Sequence, residues 1–283
     1  MSNEYKRVLT VQDISCVGQC SLTVALPILS ACGLETCVLP SAVLSTHTGG
    51  FSNYTFRDLT DDMEPIMNHW ISEKIGFDAI YTGYLGSERQ TDIVKKMFES
   101  LGKPDTGLLK AVDPAMADNG RLYPGFDSGF VDAMKRLCAS ADIILPNITE
   151  ACLLTDTGYR TEYDEDYVKK LCEKLSALGA KKIVLTGVGY NNETTGVLVC
   201  DDGTSDYYCH RKISKGCHGT GDIFASAFIG SYVRGVSLIE SAKIAADFTV
   251  GCIERTIKDK NHWYGAEFEQ GLGDLIGAIS EKV

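Results

Sequence analysis

The chain has 283 residues, with 27 Lys and Arg against 38 Asp and Glu, which leaves a formal net charge of −11. This acidic balance disfavours nucleic acid as a partner, because a phosphate backbone selects a basic protein face. The first ten residues carry no signal-type apolar stretch, and no apolar run reaches membrane-spanning length. We therefore expect a cytoplasmic protein with no membrane partner.

The eleven cysteines are scattered along the chain and include no Cys-x-x-Cys pair. A disulfide framework is typical of short secreted chains, and a zinc site needs a tighter group of ligands. Most of the cysteines are therefore expected to be small buried side chains in a reducing compartment.

Short β-rich runs alternate with longer amphipathic segments through the first two thirds of the chain. Val168, Leu171 and Leu175, for example, recur at helical spacing. Such alternation predicts βαβ units, and hence an α/β fold whose mostly parallel sheet carries helices on both faces. Strands are predicted at residues 7–12, 35–39, 79–84, 108–112, 142–145 and 181–186, and helices at 22–31, 62–75, 87–100 and 165–178.

The alternation stops after residue 186. Two β-rich runs, 195–200 and 205–211, flank an Asp-Gly pair, which predicts a hairpin. Helical patterns follow at 220–234, 238–255 and 267–279. We see no internal repeat and no linker, so residues 1–283 are expected to form a single domain.

A glycine-rich stretch opens the first of these late helices: Gly-Cys-His-Gly-Thr-Gly-Asp, residues 216–222. Glycines allow positive φ and close approach to a ligand, and we expect Gly221 to need that freedom. The amides of Gly219, Thr220 and Gly221 would then face an anion at a helix N-terminus, with the Asp222 carboxylate beside it. Such an arrangement suits phosphoryl transfer to a hydroxyl. The alternative is a plain loop with an N-terminal aspartate.

This stretch is neither a Walker A loop nor a dinucleotide-binding fingerprint. It resembles the signature of the ribokinase-like superfamily. Four further stretches resemble the pyridoxal kinase branch of that superfamily, in the same order and at similar separations over nearly the whole chain. They are Thr-His-Thr-Gly at 46–49, Gly-Tyr-Leu-Gly-Ser at 83–87, Asp-Pro-Ala-Met at 113–116, and Pro-Asn-Ile-Thr-Glu at 146–150.

The resemblance implies a three-layer sandwich and an ATP-dependent kinase. Its acceptor would be the 5′-hydroxymethyl group of pyridoxal, pyridoxamine or pyridoxine, in vitamin B6 salvage to pyridoxal 5′-phosphate, with Asp222 as the base. A hydroxymethylpyrimidine or sugar kinase on the same fold is the alternative enzyme. A catalytically silent nucleotide- or vitamin-binding protein is the alternative of another class. The family is usually dimeric, so the resemblance also implies a homodimer.

On the nucleotide side, the resemblance assigns ATP contacts to Asp113, Asp118, Asn147, Thr186 and Gly187. Asp113 and Asn147 follow predicted strands, at the sheet edge where open α/β sheets bind ligands. Residues 117–127 resemble the flap that covers ATP in this family. A solvated loop residue is the alternative for Asp118, and a plain turn is the alternative for Thr186 and Gly187.

The resemblance also implies cations. Glu150 and Asp113 match positions that organise Mg²⁺, largely through water, as this ion prefers. A monovalent cation such as K⁺ lies near the position of Thr186 and Gly187 in some members. The alternative for Glu150 is a helix-N-terminal carboxylate that serves only the helix dipole.

On the acceptor side, the resemblance assigns His47, Thr48, Tyr84 and Asp13. Many members carry Gln-Ser at the end of the first strand, whereas this chain has Gln-Asp at 12–13. A carboxylate facing the acceptor would favour pyridoxamine through a charge-assisted hydrogen bond to its aminomethyl group. The alternative is that Asp13 caps the following turn.

Overall fold

The computed structural model describes residues 5–104, 106–214 and 216–283. Within these residues, the strands are β1 (Arg7–Ser15), β2 (Glu35–Leu44), β3 (Phe56–Asp58), β4 (Ala79–Thr82), β5 (Leu109–Val112), β6 (Ala117–Asp118), β7 (Arg121–Leu122), β8 (Ile143–Ile144), β9 (Lys182–Val188), β10 (Thr194–Asp201) and β11 (Thr204–Arg211). The helices are α1 (Leu22–Ala31), α2 (Thr60–Ser72), α3 (Glu88–Ser100), α4 (Ser128–Cys138), α5 (Ile148–Leu154), α6 (Glu165–Leu178), α7 (Thr220–Val233), α8 (Leu238–Thr256) and α9 (Leu272–Ser280), with a 3₁₀ turn at Glu269–Gly271.

Nine of these strands form one sheet in the order β11-β10-β9-β8-β5-β4-β1-β2-β3. The six strands from β9 to β2 in that order pair in parallel, and the antiparallel pairs lie at the two edges. The predicted parallel sheet is confirmed. The predicted hairpin is also confirmed: Asp202 and Gly203 join β10 to β11 with φ angles of 46° and 78°, as a two-residue turn requires.

Two hydrophobic layers cover the sheet, one on each face. Successive side chains of a strand point to opposite faces of the sheet, so in β1 Leu9 and Val11 point into one layer and Val8 points into the other. Helices α2 to α6 cover the first face, and α1, α7, α8 and α9 cover the second. The expected three-layer arrangement is confirmed. No helix in the described ranges combines the length and apolarity needed to cross a bilayer.

Several element boundaries differ from the predicted ones. Strand β4 ends at Thr82, so Tyr84 lies in the loop after it rather than inside the strand. Strand β9 instead continues past its predicted end and includes both Thr186 and Gly187. The hairpin strand β10 explains this extension, because it pairs with β9 as far as Val188. Pairing with a neighbour that follows later in the chain is not visible in local propensity.

Candidate active site

The first turn of α7 presents the glycine-rich stretch. Gly219 is its N-cap residue with φ 76°, and a Cβ atom at that position would lie 1.8 Å from the carbonyl oxygen of Gln19. Glycine is therefore required here by both conformation and space. Gly221 differs, because it lies inside the helix and a Cβ atom there would meet nothing within 4 Å. The expectation that Gly221 needs positive φ is wrong.

Helix α7 is held firmly, because it is buried along nearly its whole length. The amides of its first turn cannot bond within the helix, so they are available to an anion. Asp222 is the acidic residue of this turn and is partly buried. The predicted placement of a carboxylate in the first turn of this helix is present, and anion binding there stays a prediction.

The electrostatic surroundings of Asp222 suit a proton acceptor. Burial raises the pKa of its carboxyl group to about 7, the nearby Ser21 amide opposes that rise, and the Asp13 carboxylate adds to it. A carboxylate with a pKa near neutral pH balances availability against basicity, which general base catalysis needs.

This pKa gives an expected pH dependence. The base must be unprotonated, so kcat/KM should fall about tenfold per pH unit below about pH 7. Burial raises the pKa of the Glu150 carboxyl group to about 7 as well. The variant Asp13→Asn distinguishes the two carboxyl groups, because Asp13 acts on the pKa of Asp222. Removing the Asp13 charge lowers the pKa of Asp222 and should move the acid limb to lower pH. A profile that is flat from about pH 5.5 to 8, or a limb that Asp13→Asn leaves in place, would contradict this assignment.

Glu150 is tied to the backbone on both carboxylate oxygens. It is 2% exposed, and Oε1 accepts hydrogen bonds from the amides of Met116 (3.0 Å) and Ala117 (3.4 Å), while Oε2 accepts from the amide of Asn147 (2.9 Å). Asn147 caps α5 in return by accepting from the Glu150 amide at 2.9 Å. This reciprocal capping supports the alternative of a helix-N-terminal carboxylate.

Asp113 follows β5 and is 9% exposed. Burial raises the pKa of its carboxyl group well above the usual range, and the nearby charges of Glu150 and Asp222 raise it further. Its Oδ1 accepts a hydrogen bond from the Ala115 amide at 3.2 Å. No group of three or more His, Cys, Asp or Glu side chains in the described part of the chain is arranged to hold a metal by itself.

A cavity of about 450 Å³ opens beside the C-terminal part of β9. It unites four of the five residues assigned to ATP: Asp118, Asn147, Thr186 and Gly187. The fifth, Asp113, is not among its lining residues. The wall also contains three tyrosines and one described cationic side chain, which sequence reasoning did not single out: Tyr159, Tyr163, Tyr190 and Lys212.

On the acceptor side, His47 is engaged by the backbone through both ring nitrogens. Nε2 donates to the Tyr264 carbonyl at 2.7 Å, and Nδ1 accepts from the Gly49 amide at 3.0 Å. His47 is 5% exposed, so it organises its own segment, while Thr48 beside it is exposed. Tyr84 is partly buried, 5.5 Å from the Phe126 ring.

Asp13 is 5% exposed and accepts a hydrogen bond from the Ser15 hydroxyl at 2.9 Å. Burial raises the pKa of its carboxyl group, and the nearby Ser21 hydroxyl opposes that rise. These contacts are the ones expected of a carboxylate that organises the following turn. The preference for pyridoxamine stays a prediction. Ser21 was missed in the sequence, since serine before a helix ordinarily indicates only a cap.

Comparison with known proteins agrees with the geometry. The family described as phosphomethylpyrimidine kinase matches residues 30–266. Pyridoxal kinase from Lactobacillus plantarum is 30% identical with a TM-score of 0.89, over 98% of this chain and 99% of that one. A Bacteroides thetaiotaomicron protein provisionally assigned as a phosphomethylpyrimidine kinase is 36% identical with a TM-score of 0.91, over 97% of this chain and 95% of that one. That protein was also solved with pyridoxal.

A hydroxymethylpyrimidine/phosphomethylpyrimidine kinase from Aquifex aeolicus is 27% identical over 176 residues, which cover 62% of this chain and 67% of the relative. The similarity to the two solved structures extends instead over almost the full chain. With its glycine-capped α7 and nine-stranded sheet, the chain belongs to the phosphomethylpyrimidine kinase family and, with the pyridoxal kinases it is similar to, to the ribokinase-like superfamily.

Proposed function

We propose that the protein is an ATP-dependent kinase that phosphorylates the 5′-hydroxymethyl group of a B6 vitamer. The observation that carries the proposal is the first turn of α7, where Asp222, with a pKa of about 7, stands beside amides that have no partner within the helix. Two similarities support a B6 vitamer as the acceptor: the similarity to a pyridoxal kinase over nearly the whole length of both chains, and the Bacteroides protein that was solved with pyridoxal.

In the proposed reaction, Asp222 takes the proton of the vitamer hydroxyl while the oxygen of that hydroxyl attacks the γ-phosphorus of ATP in line. A new oxygen–phosphorus bond forms, the bond between the γ-phosphorus and the bridging oxygen breaks, and ADP leaves. The amides at the start of α7 stabilise the charge on the transferring group. Nucleophile activation and charge stabilisation would thus come from one helix turn.

ATP would occupy the cavity beside β9. Its volume of about 450 Å³ suits a small ligand. Lys212 supplies a positive charge in the described lining, and the Tyr163 hydroxyl donates to the Gly187 carbonyl at 3.2 Å, which holds that wall. Aromatic side chains such as Tyr159 and Tyr190 offer faces for a purine base.

The two buried carboxylates Asp113 and Glu150 have the chemistry that a magnesium ion requires. Asp113 and Glu150 are buried carboxylates, and the charge of Glu150 adds to the rise that burial gives the pKa of Asp113; a divalent cation would relieve that repulsion. Mg²⁺ typically binds one or two carboxylates together with water and substrate phosphates. Asp113 would hold the ion and Glu150 would support it from its fixed position. When bound, the ion would neutralise phosphate charge.

We expect turnover to require a divalent ion and to stop in excess EDTA. Asp113→Asn should raise the Mg²⁺ concentration for half-maximal activity and leave thermal stability intact, because it relieves repulsion. Glu150→Gln should raise that concentration as well, and it should lower Tm, because each backbone amide left unpaired costs about 1–3 kcal/mol. Turnover in EDTA, or unchanged Mg²⁺ titrations in both variants, would contradict the metal role.

The proposal is tested by measuring ATP consumption of the pure protein with pyridoxal, pyridoxine, pyridoxamine, hydroxymethylpyrimidine and ribose, with the phosphorylated product identified by mass. We expect the highest kcat/KM with a B6 vitamer. A hydroxymethylpyrimidine kinase is the second candidate, favoured by the family match and the Aquifex relative. Absence of turnover with every acceptor would support a silent binding protein. A K⁺ site, a homodimer, a single domain and a cytoplasmic location stay predictions.

A further inference from the structure

The segment that follows β2, residues 46–51, lies against the N-terminus of α7, and we call it the β2 loop. A Cβ atom at Gly49 would lie 2.6 Å from Nδ1 of His218, the residue that precedes the N-cap glycine of α7. The rings of His47 and His218 lie 5.1 Å apart, centroid to centroid. The β2 loop is therefore a neighbour of the helix turn that contains Asp222.

The order of the strands indicates which substrate the β2 loop meets. Five strand spacings of about 4.8 Å separate β2 from β9, so the strands that carry the loop and the nucleotide cavity lie roughly 24 Å apart. The first turn of α7 lies between them, because Gly219 packs against Gln19, which follows β1. A nucleotide in the cavity would approach this turn from the β9 side, which leaves the side of the β2 loop to the acceptor.

Trp263 packs against the tip of the β2 loop. Its ring lies 4.7 Å from the Phe51 ring, centroid to centroid, and a Cβ atom at Gly50 would lie 2.8 Å from Cζ3 of Trp263. Gly50 has φ 84°, so conformation and space both require glycine there. The neighbouring Tyr264 carbonyl accepts the 2.7 Å hydrogen bond from His47. Aromatic packing at the tip and a hydrogen bond at the base thus join the loop to this segment.

The segment that carries Trp263 is itself fixed to the turn that supports α7. His262 Nε2 donates to Gln19 Oε1 at 3.0 Å, and Gln19 forms a backbone bridge with Gly265. The Gln19 carbonyl is also the group that lies against Gly219. Trp263 is 49% exposed, so its packing contributes to the position of the loop more than to the core.

We infer that Trp263 is a positioning residue for the acceptor. Its ring holds Phe51 and thereby fixes the β2 loop against the first turn of α7 before the acceptor binds. A loop that is already ordered adds no ordering cost to binding, so Trp263 strengthens acceptor binding without entering the chemical step. The effect on acceptor affinity rests on the proposed function, whereas the order of the loop is open to a separate test.

The kinetic test compares Trp263→Leu with Trp263→Phe. Leucine removes the aromatic pair, so KM for pyridoxal should rise roughly 3- to 10-fold, while kcat and KM for ATP stay unchanged. Phenylalanine keeps a ring against Phe51, so Trp263→Phe should retain most of the wild-type affinity for pyridoxal. An unchanged KM for pyridoxal in Trp263→Leu, a loss confined to kcat, or an equal rise in both variants would overturn the inference.

Trp70→Leu is the matched control, because the sequence contains only these two tryptophans. Trp70 packs against the hydrophobic layer on the α2 side of the sheet, with its ring 5.6 Å from that of Phe77, centroid to centroid. Its replacement should lower Tm and leave both KM values unchanged. A rise in KM for pyridoxal equal to that of Trp263→Leu would reflect general destabilisation and would also overturn the inference.

Hydrogen exchange of the substrate-free protein supplies a readout that does not need turnover. The Gly49 amide donates to His47 Nδ1 at 3.0 Å, so its exchange reports the order of the β2 loop. Exchange across residues 46–51 should be faster in Trp263→Leu than in the wild type and in Trp70→Leu. If the wild-type protein phosphorylates no acceptor, the proposed function fails, and this comparison still decides whether Trp263 holds the loop. Unchanged exchange in Trp263→Leu would then overturn the positioning role.

Discussion

Asp222→Asn is expected to lower kcat by roughly 10²- to 10⁴-fold, the usual contribution of a positioned general base. This loss corresponds to about 3–5 kcal/mol of activation free energy, at about 1.4 kcal/mol per decade. Asparagine keeps the shape of the side chain and one of its oxygens, so the fold should survive. ATP affinity, measured by calorimetry, should change little because the cavity beside β9 is formed by other residues.

The chain contains a matched control for this substitution. Asp274 follows a glycine in the first turn of α9, as Asp222 does in α7, but Asp274 is exposed. Asp274→Asn removes the same favourable charge from a helix N-terminus and should leave kcat unchanged. Near-wild-type turnover in Asp222→Asn, or an equal loss in Asp274→Asn, would show that Asp222 is not the base.

Gly219→Ala is expected to have the second large effect. The added Cβ would lie 1.8 Å from the Gln19 carbonyl oxygen, and the residue has φ 76°, so the first turn of α7 must shift. A displacement of about 1 Å at the reacting atoms can cost about 10²-fold in rate. We expect kcat to fall by about that factor and Tm to drop, because a Cβ in left-handed backbone costs about 1–2 kcal/mol.

Gly221→Ala distinguishes the effect of backbone strain from the effect of crowding a bound phosphoryl group at the same end of α7. A Cβ there meets no protein atom within 4 Å, and alanine favours the helix by roughly 0.5–1 kcal/mol, so Tm should rise slightly. Any loss of turnover in this variant would report crowding of the transferring phosphoryl group. If Gly219→Ala stays folded and turns over normally, the loop is not an anion-binding turn.

The layered architecture was predictable because its signals are local. Helical spacing in α6, the Asp-Gly pair between β10 and β11, and the alternation of strands and helices are each set by neighbouring residues. The positions of Asp113 and Asn147 were also predictable from the sequence, since a residue just after a parallel strand lies at the ligand-binding edge.

Only the tertiary structure decided which residues of that edge act together. Gly219 requires glycine because the carbonyl of Gln19, two hundred positions away, lies against it, and nothing in the local stretch distinguishes it from Gly221. The bonds of Glu150 to Met116 and Ala117 and the approach of Lys212 to the cavity are likewise long-range. The sequence by itself determined the elements and the type of chemistry, because both depend on short spacings, whereas packing between distant segments determined which groups meet.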